Sequence, residues 1–176
     1  MPRLPELLDR DALPDSIRTA YDFVAKSRGQ VSPSYAVMLH APEMASRICH
    51  LGTKFRFESS LTELTIELLA YVVSCELDNG YEGAIHGRAA TRLGVDPGVV
   101  DAIRAKAPVP ATDGRIALPI ACARELVRTH HLTDALFADA HRAFGDEGVV
   151  ELVGTIGYYA MLAFTHNALQ VRVPQG

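Results

Sequence analysis

The chain has 176 residues, 48% of them hydrophobic, which suits one domain with a buried core and excludes disorder as a description of the whole. A formal net charge of −4, with no cluster of Lys or Arg, excludes the concentrated basic surface that a nucleic-acid partner requires. Cys49, Cys75 and Cys122 are odd in number, far apart and without CxxC spacing, so a disulfide framework and a zinc knuckle are not expected and a reducing compartment is.

The opening stretch MPRLPELLDRDALPD carries neither an apolar core nor a cleavage site of a signal peptide, and a cytoplasmic protein is expected. Pro14-Asp15-Ser16 opens a helix through about Lys26, stopped by Ser27-Arg28-Gly29. A short helix follows Ser32-Pro33, and another runs from Pro42 toward Phe57 with Met44, Ile48 and Leu51 on one face. Ser60-Leu61-Thr62-Glu63 has the spacing of a capping box, with a helix beyond it to about Cys75. Asp78-Asn79-Gly80 marks a turn or a new helix start. The next helix covers about Tyr81 to Leu93 and stops at Gly94, and Asp96-Pro97 opens a short one.

Ala107 to Gly114 is the one linker-like stretch. Helices follow near Arg115–Thr129, where Pro119 must sit in the first turn or kink the helix, and near Thr133–Phe144, capped by Thr133 and stopped by Gly145. A long apolar helix over Val149–Leu169 precedes a tail from Val171. Glu151, Tyr158, Tyr159, His166 and Asn167 make this a buried or interface helix rather than a membrane span.

The chemistry concentrates in Ile66–Cys75, a helix apolar all round whose one charged residue is Glu67. An isolated carboxylate there costs several kcal/mol, on the order set by desolvation, unless it is paired or protonated. Glu82 and His86, at i,i+4 on the adjoining helix, are the expected partners across an antiparallel pair. Two carboxylates sharing an imidazole push pKa values apart, as proton transfer requires. The same three residues could instead be a structural ion cluster that fixes helix register. A di-iron site needs Glu-x-x-His, and Glu82 to His86 has one residue too many; a mononuclear metal site is the lesser alternative, and no metal is expected.

The string Glu67 to His86, ELLAYVVSCELDNGYEGAIH, resembles the core motif of the carboxymuconolactone decarboxylase / alkylhydroperoxidase D-like superfamily. HAPEMASRICHLGTKFRFESSLTE is similar to its lead-in helices and GVVELVGTIGYYAMLAFTHNALQV to its closing helix. The resemblance spans about residues 10–174. It implies an all-α helical bundle, a single domain and a homo-oligomer, trimer or hexamer, with sites near subunit contacts. In the peroxidase branch a CxxC would fall at Asn79 and Glu82, so the resemblance is to the decarboxylase branch.

That branch implies cofactor-independent decarboxylation or proton transfer on a small organic acid or lactone. His86 would be the acid, Glu67 and Glu82 its orienting carboxylates, and Tyr81 and Asn79 substrate-binding residues. The alternatives are an alkylhydroperoxidase-like oxidoreductase and a non-catalytic oligomeric binding protein.

Overall fold

The computed structural model describes residues 2–173; the last three residues of the expected tail lie outside them. Among the described residues a 3-10 turn at Arg10–Ala12 precedes eight helices and there is no strand. The helices are α1 (Asp15–Arg28), α2 (Pro33–Met38), α3 (Pro42–Phe57), α4 (Glu63–Glu76), α5 (Gly80–Arg92), α6 (Pro97–Arg104), α7 (Gly114–Thr129) and α8 (Asp134–Leu169). The all-α expectation holds. Two compact units make up the chain, the first reaching Glu58 and taking in His166–Arg172, the second covering Ser59–Thr165.

The first unit is built on α1, α2 and α3. Pro33 and Pro42 stand at helix starts, where a missing N–H is harmless, and Gly29 ends α1 in the left-handed region at φ 79°. Val24, Ala36, Val37, Leu39, Ala45 and Cys49 are buried. The Arg28 guanidinium donates to the Cys49 carbonyl at 2.7 Å, joining α1 to α3.

α4 is the centre of the second unit, with α5, α6 and α7 packed on it. Leu68, Leu69, Ala70, Val72 and Val73 are completely buried, which is why its apolar residues follow no single stripe. Glu67 meets His86 while Ser74 lies against Gly83, so α4 and α5 run antiparallel. A Cβ on Gly87 would stand 2.8 Å from the Tyr71 ring; this close approach requires glycine.

Two local expectations need correction, and the place of Pro119 is settled. The capping box at Ser60 does not form: Thr62 is the N-cap of α4, accepting from the Thr65 N–H, and Ser60 serves elsewhere. Its N–H and hydroxyl, with the Ser59 hydroxyl, donate to one oxygen of the buried Glu151 carboxylate, each at 2.7 Å. A buried carboxylate needs donors more than a solvated helix end does. Pro119 lies past the first turn of α7, where it leaves the Arg115 carbonyl without its helical N–H partner. The helix after Gly145 also begins earlier than Val149. Gly145, at φ 69° and ψ −175°, interrupts an otherwise continuous α8, as its predicted stop requires.

α8 is the one helix among the described residues long and apolar enough to cross a membrane, and 56% of its most apolar window is buried inside the protein.

Candidate active site

α4 and α5 place the three predicted residues together for simple geometric reasons. Asp78, at φ 54°, turns the chain after α4, and the Asn79 side chain caps α5 by accepting the Glu82 N–H at 2.8 Å. Glu82 and His86 then lie one turn apart on the face of α5 that meets Glu67. His86 Nδ1 is 2.5 Å from Glu67 Oε2, and His86 Nε2 is 3.1 Å from Glu82 Oε2. The imidazole is 2% exposed and both carboxylates are buried. Tyr159 of α8 closes the far side, its ring meeting His86 edge to face at 4.8 Å, and Tyr158 stacks edge-on against Tyr159 at 5.3 Å.

With a carboxylate at each ring nitrogen, the protonated imidazole can donate from both. Burial works against the charge, but the hydrogen bonds to Glu67 and Glu82, with the attraction of both carboxylates, prevail and push the His86 pKa up to about 9. The raised pKa favours the protonated ring at neutral pH. Each ring nitrogen that could hold a metal is engaged by a carboxylate, and among the described residues no group of three or more His, Cys, Asp or Glu side chains is disposed to hold a metal ion.

The two predicted substrate-binding residues are also buried. Asn79 uses its amide at both ends, accepting from Glu82 and donating to the Ala163 carbonyl of α8 at 3.3 Å, so it fixes α5 and α8 around the cluster. Tyr81 lies in the first turn of α5.

Two cavities open nearby in the second unit. One, of about 860 Å³, lies against the starts of α4 and α7 and the part of α8 before Gly145. The other, of about 500 Å³, lies between α4 and α5 and includes Asn79, with Arg88 and Arg104 at its edge. Neither is lined by Glu67, Tyr81, Glu82 or His86. Sequence reasoning missed both arginines; the one available signal was the recurrence of Gly80, Gly83 and Gly87 on one face of α5, which bares its backbone.

The three cysteines form no disulfide, and Cys49 and Cys122 are buried. Burial raises the Cys75 pKa, and burial with Glu125 and Asp139 pushes Cys122 up to about 11, whereas a reactive thiol needs a lowered one.

No protein-family model matches the chain, and no curated relative does. Two solved structures are similar over nearly the full length. One is described as an alkylhydroperoxidase AhpD core, an uncharacterized peroxidase-related protein from Ralstonia eutropha JMP134. It is 18% identical with a TM-score of 0.79, over 99% of this chain and 93% of that one. The second is an uncharacterized peroxidase-related protein from Silicibacter sp. TM1040, 22% identical with a TM-score of 0.75, over 97% of this chain and 93% of that one. At these identities the likeness establishes the fold: this chain has the AhpD-core helical architecture.

Proposed function

We propose that the chain is a cofactor-independent enzyme of proton transfer, a decarboxylase of small unsaturated lactone acids, with His86 as the general acid. One observation carries the proposal: a buried imidazole with a carboxyl group at each ring nitrogen. Loss of CO₂ from a γ-carboxylated lactone leaves its electron pair in the conjugated carbonyl as a dienolate. His86 delivers a proton to that dienolate carbon and is reprotonated from solvent. Glu67 fixes the ring and sustains its charge, Glu82 holds the second nitrogen, and Tyr81 is the proposed donor to the developing oxyanion. Because the imidazole is closed off, turnover on this reading requires the seam between α5 and α8 to open by the width of the substrate.

The test is turnover of a γ-carboxylated lactone by the wild type and by His86→Gln, which fills the same space with a neutral amide. A loss of about 10²–10⁴-fold is expected, the usual contribution of a general acid. Equal turnover, or none by the wild type, would contradict the assignment. A peroxidase-related reading is favoured by the descriptions of the two similar structures and opposed by the raised thiol pKa values. Hydroperoxide reduction that disappears in Cys75→Ser would establish it.

We also propose that the chain assembles with copies of itself through the outer face of α8. Val150, Val153 and Phe164 are 73%, 41% and 61% exposed, and no charged side chain occurs from Leu152 to Thr165. Val150 and Phe164 stand at equal distances in sequence on either side of the exposed Gly157, so two copies crossing antiparallel at Gly157 would set Phe164 of each against Val150 of the other. Sedimentation at micromolar concentration should show an oligomer that Phe164→Asp dissociates; a monomeric wild type would rule the proposal out.

A further inference from the structure

The cleft of about 500 Å³ between α4 and α5 lies on the side of α5 turned away from Glu82 and His86. Gly80, Gly83, Ala84 and Gly87 recur at helical spacing along that face, with the Tyr71 ring packed onto Gly87 and Val173 onto Gly80, so the wall is of small and aromatic surface. α4 forms the opposite wall with Tyr71, Ser74 and Cys75.

The charges around this cleft do not cancel. Asp78 is held by Lys106 at 2.7 Å, and Arg104 by Asp101 at 2.7 Å on the outside of α6. Arg88 is exposed and has no ion pair among the described residues. Arg104 also faces inward in its effect: burial pushes the Tyr71 hydroxyl up to about 12 and raises the Cys75 thiol, and Arg104 acts against both shifts. The cleft therefore combines a concave shape of ligand size, a largely apolar wall that includes Tyr71, and a surplus of guanidinium charge.

We propose that this cleft is a second ligand site, which binds a small, flat organic carboxylate between Arg88 and Arg104. It is separate from the proton-transfer cluster and stands whether or not His86 is catalytic.

Cys75 supplies the probe, since it is partly exposed within the cleft while Cys49 and Cys122 are buried. Iodoacetate and iodoacetamide are alike in size and differ in charge. Their rates at Cys75, followed by peptide mass spectrometry, give a ratio in which the thiol pKa cancels. In the folded protein the ratio of iodoacetate to iodoacetamide should exceed that of the urea-unfolded chain by about fivefold, as an ion pair of moderate strength would give. Benzoate should slow both reagents where benzamide does not. Arg88→Ala and Arg104→Ala should each return the ratio toward the unfolded value with little change in melting temperature. A ratio no higher than that of the unfolded chain, equal protection by benzoate and benzamide, or indifference to both arginine substitutions would overturn the proposal. A Cys75 unreactive to both reagents would overturn it as well, because nothing of that size would then enter.

Discussion

On one face of α5, Glu82 and His86 are sealed against Glu67 and Tyr159; on the other, Gly80, Gly83, Ala84 and Gly87 leave a cleft edged by Arg88 and Arg104. The same helix thus carries charges in two opposite settings. Sealed charges interact strongly and hold one another in fixed protonation states, and exposed ones are screened and weakly coupled. The difference teaches that strong electrostatics and open space need not coincide. In this chain His86 sits on the closed side and the room for a ligand on the open side.

Substitution of the two cations separates the settings most widely. His86→Ala leaves two buried carboxylates without their shared cation and should lower stability by about 3–5 kcal/mol, the usual effect of breaking a buried pair. The burial of all three groups shows why His86→Gln is the better probe of rate. Arg88→Ala, on the open face, should change stability by no more than about 0.5 kcal/mol. Urea denaturation of both variants checks the contrast, and similar losses would mean that the two faces are not energetically distinct.

The pH dependence of stability sharpens the comparison. His86 has a folded pKa of about 9 against an ordinary value of 6.5, raised by its carboxylate partners over the opposing effect of burial. A raised folded pKa contributes stability that is fully present below pH 6.5 and is lost as pH rises through about 9. The loss should be on the order of 3 kcal/mol and absent from His86→Gln. Unfolding midpoints measured from pH 6 to 10 would show it as a downward slope in the wild type alone.

A smaller loss than either expected at His86 concerns the seam between α4 and α5. Gly87→Ala forces a methyl group to within 2.8 Å of the Tyr71 ring, and overpacking of this kind costs about 1–3 kcal/mol. Thermal melts measure it; an unchanged melting temperature would mean that α4 and α5 can move apart freely.

Much of this was legible in the sequence because the signals were local or out of place. Pro14, Pro33, Pro42 and Pro97 gave the starts of four helices, Gly29 and Gly94 the ends of two, and Gly145 the break in α8. Glu67 stood out as the one charge in a buried helix, and the i,i+4 pair Glu82 and His86 was the partner within reach. Ser60 was misread because a capping box is a local pattern and the claim of Glu151, 91 residues away, is not. The wall formed by Tyr159 and the clefts were hidden for the same reason, since both depend on which elements meet. Asn79 was picked out as a ligand contact; that its amide also ties α5 to α8 was not legible, because it needs the position of Ala163 to be known.

The charge state of His86 tests the central claim most directly. ¹⁵N NMR of the imidazole in the wild-type protein should show both ring nitrogens protonated at pH 7.5, with a titration midpoint near 9 that falls in Glu67→Gln. A neutral ring at pH 7.5, with one nitrogen bare, would contradict the account, because a neutral imidazole is too weak an acid to serve as the proton donor.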